Sequence, residues 1–336
     1  MRKLLLRTSI LAHVLLLLPL AAGAQAPAAA PAAASERSIS DWLLRMHEAS
    51  RRRAYVGTLV VSSGRDMSSA RVWHVCDGTQ QMERVDALTG APRSTFRRND
   101  EVLTFLPQTR VAVAEKRESL GLFPHLLKSV DGSLEQYYSL SAQGSERVAG
   151  LEADIVQLTP RDALRFGYRI WSEKRTGLVL KLQTLDGQAK VLEQVAFSEL
   201  QLDAPVSMDQ LSRMMANTEG YKVVSPAVVK TTAAAEGWRL AQEVPGFRSM
   251  SCLRRPSASG PDALQWVFSD GLASVSLFIE PFDPRRHVQE GLQGMGATHA
   301  LTRRLVARGG PWWLTLVGEV PVQTLQAFAQ ALERAP

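Results

Sequence analysis

Short apolar segments separated by turn residues dominate the chain between residues 54 and 115. β-branched and aromatic residues are concentrated in these segments, which is typical of β-strands. The predicted strands cover residues 55–61, 71–75, 81–88, 94–98, 102–106 and 110–114. Parallel neighbours need a crossover of about a dozen residues, so strands joined by short turns pair antiparallel. The pattern therefore predicts one curved antiparallel sheet.

A helix is predicted directly before this series of strands, over residues 40–49. Ser40 or Asp41 can cap it, and Trp42, Met46 and Ala49 fall on one side at helical spacing. An antiparallel sheet can bury one face and leave the other in water. We expect the apolar side of this helix to cover the inner face of the sheet.

Strand signals return further along the chain and lengthen the predicted sheet. The second series covers residues 137–140, 146–149, 153–158, 168–171, 178–182 and 191–197. Thr176-Gly177 and Asp186-Gly187 supply hairpin turns between the later strands. With roughly ten to twelve strands in all, the sequence predicts a strongly curved sheet or a partly open barrel over residues 40–205.

A second, smaller unit is predicted after a helix over residues 206–216 and a segment of linker composition up to residue 236. Its strands are predicted at residues 238–240, 247–253, 264–269, 273–279, 302–307 and 312–318. A helix that starts at Pro321 places Leu325, Phe328, Ala329 and Leu332 on one face, which suits packing against a sheet. The fold class is α+β and mostly β, with a small C-terminal α+β domain over residues 237–336.

The first residues have the pattern of a secretory signal. Three basic residues precede an apolar run at residues 10–20, and the small residues Ala22-Gly23-Ala24 follow it. We interpret residues 1–24 as a signal peptide and the Ala/Pro-rich residues 25–39 as a disordered leader. No cysteine lies near the cleavage site, so a lipoprotein anchor is not expected. The predicted location is the periplasm.

The net charge argues against a nucleic-acid partner. The chain carries +6, and the first 24 residues contain three basic and no acidic side chains, so the remainder carries 6 − 3 = +3. Its arginine pairs are scattered, without the aromatic stacking platforms of nucleic-acid-binding proteins. Such pairs belong to solvated surfaces or contact an acidic partner or a lipid phosphate.

Two cysteines, Cys76 and Cys252, do not make a disulfide framework in a chain of 336 residues. A bridge between them would join distant regions of an exported protein. Two separate thiols are the alternative that we favour, and both readings stay open at this stage.

The sequence lacks the motifs of several common classes of enzyme. Five histidines follow the signal peptide, and no two of them have the spacing of a metal site such as HExxH. No GxSxG nucleophile elbow is present. The glycines of residues 291–296 follow the order GxxGxG, which does not match a dinucleotide-binding loop and indicates a flexible turn. We expect neither an enzyme nor a cofactor.

Several short stretches, in this order and at this spacing, resemble the RseB/MucB family of sigma-E regulators. They are YVGT at 55–58, ER at 83–84, LTG at 88–90, PRD at 160–162, RFGYR at 165–169, TGL at 176–178 and WLTLVGEVP at 313–321. The resemblance implies a lipoprotein-carrier-like, half-open N-terminal β-barrel with helices and a small C-terminal domain. Phe166 departs from the family pattern, in which we expect tyrosine.

The resemblance also implies a function. It predicts that the chain binds the periplasmic domain of a membrane-spanning anti-sigma factor of the RseA/MucA type and shields it from the site-1 protease. Lipopolysaccharide or phospholipid would release the complex. A periplasmic lipid or lipoprotein carrier is the alternative, and a homo-oligomer is left open.

Candidate site residues follow from these two ligand classes. Anchors for a partner protein are often tryptophan or arginine, which points to Trp312, Trp313, Arg285 and Arg286 along a groove between the domains. Alternation along a strand means that only one of the two indole rings faces inward. For lipid, an apolar loop interrupted by glycine and proline either covers the core or borders an apolar cavity. In the second case its mouth would be lined by Leu120, Leu122, Phe123, Leu126 and Leu127.

Overall fold

A computed structural model describes residues 37–116, 134–256 and 260–335 of the protein. The helices in these ranges are α1 (Ile39–Arg52), α2 (Leu134–Tyr137), α3 (Met208–Ala216) and α4 (Val322–Ala331). The strands are β1 (Tyr55–Ser63), β2 (Asp66–Cys76), β3 (Gln81–Ala87), β4 (Ser94–Arg98), β5 (Glu101–Leu106), β6 (Val111–Lys116), β7 (Tyr138–Val148), β8 (Leu151–Pro160), β9 (Gly167–Glu173), β10 (Val179–Leu185), β11 (Val191–Leu202), β12 (Lys222–Val224), β13 (Val229–Lys230), β14 (Trp238–Leu240), β15 (Arg248–Arg255), β16 (Ala263–Ser269), β17 (Ser274–Pro281), β18 (Gly291–Met295), β19 (Thr298–Ala307), β20 (Gly310–Gly318) and β21 (Leu332–Arg334).

Twelve of the described strands form the large sheet, in the order β12-β6-β5-β4-β3-β2-β1-β11-β10-β9-β8-β7. From β1 to β6 and from β7 to β11, each strand pairs antiparallel with its neighbour in the chain. β1 pairs with β11 and so joins the two predicted series of strands. Among the strands that the structure describes, the sheet ends in β12 and β7, which do not pair with each other. The prediction of a mostly β, α+β protein with an open rather than closed barrel is confirmed.

Seven of the described strands form the small sheet, in the order β13-β15-β16-β17-β20-β19-β18, and β14 and β21 pair separately. Helix α4 packs on this sheet as its apolar periodicity predicts. Leu325, Phe328 and Ala329 are buried in one cluster with the sheet residues Leu277 and Leu316. Leu332 belongs to the same cluster, but it ends the helix and begins β21.

Helix α1 starts earlier than the sequence predicted. Ser38 caps it, since its hydroxyl accepts the N–H of Asp41 while the Asp41 carboxylate accepts the N–H of Ser38. The predicted cap at Ser40 or Asp41 is therefore wrong, because the capping box starts two residues earlier. Met46 and Ala49 are buried as expected, whereas Leu43 rather than Trp42 completes the buried side.

Helix α3 covers the opposite face of this part of the large sheet. We had expected that face to lie in water. Leu211 of α3 is buried in one cluster with Met82, Phe96 and Phe105. These three residues point away from the side that carries Tyr55, which packs with Ala49 of α1. Both faces of the sheet thus contribute to the core.

The segment of linker composition contains two short strands. β12 runs parallel to β6 and extends the large sheet. β13 pairs antiparallel with β15 and begins the small sheet. The chain between the two sheets is therefore hydrogen-bonded to each of them in turn.

Two further expectations are settled by the described residues. The glycine-rich stretch that we interpreted as a flexible turn forms β18, so that interpretation is wrong. Its glycines are accommodated because β19 supplies the hydrogen-bonding partner.

Cys76 and Cys252 are separate thiols, as we favoured. Within residues 37–116, 134–256 and 260–335, no helix is long and apolar enough to cross a membrane.

The adjacent leucines of α1 provide a test of this packing. Leu43 is 1% exposed, whereas Leu44 is 45% exposed. We expect Leu43→Ala to lower the free energy of unfolding by about 2–5 kcal/mol, because it leaves a cavity in the core. Leu44→Ala should change it by less than about 0.5 kcal/mol. Urea unfolding of both variants measures the difference, and equal losses would contradict the assignment of the buried side.

Candidate functional site

A loop between β8 and β9, residues 161–166, positions Arg165 where the two sheets meet. We call it the joint loop. Asp162 shapes it, because one carboxylate oxygen accepts the backbone N–H of Leu164 at 2.9 Å. Its other oxygen accepts a hydrogen bond from Nη1 of Arg165 at 2.9 Å. The guanidinium is thus oriented before it reaches the second sheet.

Arg165 forms a buried ion pair with Asp270, in the turn between β16 and β17. The Nε atom lies 3.1 Å from Asp270 Oδ2, and both side chains are 0% exposed. Arg165 Nη2 also donates to the carbonyl oxygen of Pro245 at 2.6 Å. Burying a charge costs several kcal/mol unless it is paired and hydrogen-bonded, so each side chain depends on the other. The pair therefore fixes one sheet against the other.

Asp270 is held from both sides. Its Oδ1 accepts the backbone N–H groups of Leu272 and Ala273 at 2.9 and 2.7 Å, which shapes the hairpin turn. Its Oδ2 accepts the hydroxyl of Tyr138, in β7 of the large sheet, at 3.0 Å. Burial, together with the negative charge of Asp270, raises the pKa of Tyr138 well above its usual value. The phenol therefore remains a neutral donor.

Aromatic rings and a glycine enclose the guanidinium of Arg165. It lies 4.4 Å from the ring centroid of Tyr137 and 5.3 Å from that of Phe247. Gly246 has a φ of +81°, and a Cβ there would lie 2.8 Å from Arg165 Nη2. A larger residue would be strained and would displace the guanidinium. This position requires glycine.

An apolar seam continues the contact on both sides of the ion pair. Leu164 of the joint loop packs against the cluster under the small sheet, and Leu272 is buried in the cluster of α1 and the large sheet. Thr324 of α4 donates its hydroxyl proton to the carbonyl oxygen of Leu164 at 2.5 Å. Phe166 lies 6.0 Å from the His299 ring. Each sheet thus inserts a leucine into the core of the other.

A second contact lies at the turn between β18 and β19. A Cβ at Gly296 would be only 1.9 Å from the hydroxyl of Ser63, so this turn rests directly on the large sheet. Ser63 in turn donates to Glu193 at 3.1 Å. Burial and the negative charge of Glu193 raise the pKa of Glu319. A carboxyl group that resists ionisation therefore lies at the second contact.

The predicted partner-binding tryptophans lie on opposite faces of the small sheet. Trp312 packs edge-on against Trp238, with the Arg334 guanidinium 4.5 Å from its ring centroid. Trp313 is buried and stacks on His287 at 4.8 Å. Only Trp312 packs against the core cluster of the small sheet, while Trp313 lies on the other face, as the alternation along the strand predicts.

The predicted arginines directly precede His287, the residue that stacks on Trp313. Arg286 pairs with Glu280 at 2.8 Å and with Asp283 at 3.5 Å. Arg285 is exposed. The four predicted residues therefore do not converge on one site, and their contact with a partner stays a prediction.

A cavity of about 320 Å³ lies next to Trp312. Its lining contains Glu236, Trp238, Arg254, Asp262, Leu264, Ile279, Pro281, Trp312 and Arg334. Arg254 pairs with Glu236 at 2.5 Å, and the lining as a whole contains two acidic and two basic side chains.

Among the described residues, no cluster of three or more His, Cys, Asp or Glu side chains could hold a metal ion.

The predicted cavity mouth for lipid, Leu120, Leu122, Phe123, Leu126 and Leu127, lies outside the described residues.

The face of the large sheet next to α1 carries a row of polar side chains across β1 to β4, which was not expected from the sequence. The ring of Tyr55 stacks on His74 at 4.9 Å, and Arg97 lies 3.8 Å from Glu83. Burial lowers the pKa of His74 and raises that of Glu83. This face is therefore not purely apolar.

Comparison with known proteins covers nearly all of the described chain. The family model of the MucB/RseB N-terminal domain matches residues 38–215, and that of the MucB/RseB C-terminal domain matches residues 232–333. This chain belongs to the MucB/RseB family. The resemblance seen in the sequence is thereby confirmed.

Named members of the MucB/RseB family are regulatory proteins of sigma factors. The sigma factor AlgU regulatory protein MucB of Pseudomonas aeruginosa is 32% identical over 87% of this chain and 90% of MucB. The sigma-E factor regulatory protein RseB of Escherichia coli is 22% identical over 87% of this chain and 89% of RseB. A crystal structure of MucB in complex with MucA(peri) matches with a TM-score of 0.70 at 28% identity, over 89% of this chain and 100% of that one.

The stretches that carry the MucB/RseB resemblance include the joint loop. PRD at 160–162 and RFGYR at 165–169 contain Asp162, Arg165 and Phe166. Sequence reasoning singled out these stretches without assigning them a role, and it missed Asp270 and Tyr138 as their partners. The local sequence Asp270-Gly271 between two predicted strands is typical of a hairpin turn and gives no sign of an ion pair.

Two adjacent tyrosines, Tyr137 at the end of α2 and Tyr138 at the start of β7, test the hydrogen bond to Asp270. Tyr138→Phe should lower the free energy of unfolding by about 1.5–3 kcal/mol, because a buried bond to a charged acceptor is lost. The Tyr137 hydroxyl has no hydrogen-bond partner among the described residues. Tyr137→Phe should therefore cost less than about 0.5 kcal/mol. Chemical unfolding measures both, and equal costs would refute the role of Tyr138.

Glu319 gives the second contact a pH dependence. Because its pKa is raised from the ordinary value of 4.5, the folded protein holds this proton more tightly than the unfolded chain. The stability that this group contributes is full below pH 4.5 and is lost as the pH rises through the folded pKa. Glu319→Gln should therefore be more stable than the native protein at about pH 8, with a smaller difference at about pH 5.

The control for Glu319 is the exposed Glu290. Glu290→Gln should leave the pH dependence of the urea midpoint unchanged. A Glu319→Gln variant that follows the native pH profile throughout would show that this carboxyl is not destabilised in the folded protein.

Proposed function

We propose that this chain binds the periplasmic domain of a MucA-type, membrane-spanning anti-sigma factor and acts as a regulator in the periplasm. The observation that carries the proposal is the match, over nearly the whole chain, to MucB in its complex with MucA(peri). The family names support a regulatory rather than an enzymatic role. The predicted signal peptide supports export to the compartment where such a domain is found.

The mechanism that we infer is steric. The anti-sigma segment is held along both sheets, where the site-1 protease cannot reach its cleavage point. Such shielding needs a scaffold that keeps its shape. The buried ion pair of Arg165 and Asp270 and the interlocked leucines at the joint supply that rigidity.

We further propose that lipopolysaccharide or phospholipid releases the complex. A ligand can shift binding only by its differential affinity for the free and bound forms. The open large sheet and the predicted apolar loop at residues 120–127 support a lipid site in the N-terminal half. Lipid that prefers the free form would then compete with the anti-sigma factor without any bond being made or broken.

The proposal is tested by digesting the MucA-type periplasmic domain of the same organism with its site-1 protease. Saturating amounts of this protein should slow cleavage by at least about tenfold, because the bound fraction is inaccessible. Adding lipopolysaccharide micelles or phospholipid vesicles should restore the rate. Gel densitometry of the intact domain over time gives the rates.

An unrelated substrate of the same protease is the control, and its cleavage should not change. Slower cleavage of both substrates would indicate inhibition of the protease and contradict shielding. Binding without protection would remove the shielding mechanism. Protection that survives both lipids would remove the release step alone.

A further inference from the structure

The edges of the two sheets differ in how they are protected. An exposed edge strand can pair with another chain, and proteins prevent this with charged side chains, bulges or very short strands. β7 has a bulge between Ala142 and Ser145, followed by the charged Glu146 and Arg147. β12 has three residues and β13 two, and each contains a lysine.

β18, at the far edge of the small sheet, has none of these protections. Its five residues, GLQGM, are all exposed and include no charged residue and no proline. Its register with β19 runs from Gly291 to Met295 without a bulge. Within the part of the chain that the structure describes, no strand pairs with its outer side. The edge thus offers a regular row of backbone donors and acceptors.

An apolar row leads from the core of the small sheet to this edge. Leu277 of β17 pairs with Leu316 of β20, and both are fully buried. Leu316 pairs with Leu301 of β19, which pairs with Leu292 of β18. Leu292 is 49% exposed, so the row ends in a leucine with no neighbour on its outer side among the described strands. An apolar side chain on an added strand would continue the row.

The edge is also held in place. The turn that follows β18 rests on the large sheet at Ser63, since a Cβ on Gly296 would lie only 1.9 Å from the Ser63 hydroxyl. At the other end of the hairpin turn, His299 Nδ1 lies 2.9 Å from the carbonyl oxygen of Val320. A preorganised edge loses little conformational entropy when a strand pairs with it.

We propose that β18 is a strand-addition site, on which an extended segment of the anti-sigma periplasmic domain pairs as an eighth strand of the small sheet. The inference rests on the proposed function and adds its contact surface. The added segment places an apolar side chain opposite Leu292, and main-chain hydrogen bonds supply the remaining affinity.

A second copy of this chain fits the edge less well. Two copies of β18 that pair antiparallel about Gln293 would bring Leu292 opposite Gly294, so the apolar row would end without a partner. If the pairing were shifted to bring Leu292 opposite Leu292 of the second copy, Met295 would face Gln289, which lies outside β18. A different chain with an apolar residue at the required position avoids both problems.

Hydrogen exchange on the full-length protein tests the proposal directly. With a saturating amount of the MucA-type periplasmic domain of the same organism, the amides of residues 291–295 should exchange at least about tenfold more slowly. The amides of residues 141–145 in β7, an edge protected by its bulge, should not change. Mass spectrometry of peptic peptides resolves the two segments.

Side-chain variants give a second readout. Leu292→Asp should raise the Kd for the same domain by at least about tenfold, and Leu292→Ala by a smaller factor. Val306 is the matched control, because it is 83% exposed on β19 but pairs with Pro311, beyond the end of β18. Val306→Ala and Val306→Asp should leave the Kd within about twofold of the native value.

The possible outcomes separate the two proposals. Tight binding with unchanged exchange at residues 291–295 would overturn strand addition and leave the proposed function intact. No binding at all would overturn both. Slower exchange at these residues that depends on protein concentration and not on the added domain would identify a second copy as the occupant and overturn the proposal.

Discussion

The buried ion pair between Arg165 and Asp270 is the constraint on which the arrangement of the two sheets depends. Neither charge could stay buried alone, because the cost of removing it from water exceeds what apolar contacts nearby return. Arg165 comes from the loop before β9 of the large sheet and Asp270 from a turn of the small sheet, so their ion pair exists only when the sheets are docked. Tyr138 and the turn at Asp270 extend this dependence into both cores. Docking is therefore coupled to correct folding on each side.

The chain between the sheets reinforces this coupling. β12 extends one sheet and β13 the other, so the segment is anchored at both ends instead of acting as a free tether. Together with the turn at Gly296, it gives the sheets contacts on more than one side of the ion pair. A partner that touches both sheets thus meets one preformed surface and loses less entropy on binding than it would on two independent domains.

The sequence predicted what depends on local periodicity. β4 and α4 follow from alternation at two residues and recurrence at three and four, and the structure places them as expected. β18 was missed because glycine has little intrinsic strand preference, and only its pairing with β19 makes it a strand. The ion pair of Arg165 and Asp270 was missed for a similar reason. Its partners are distant in sequence, and no spacing rule connects them.

Rigid docking and an open edge are compatible requirements in the proposed regulator. Strand addition takes most of its affinity from the backbone, so the edge can bind a segment whose only strict demand is an apolar residue opposite Leu292. Reversibility then comes from the small number of side-chain contacts rather than from movement of the edge itself.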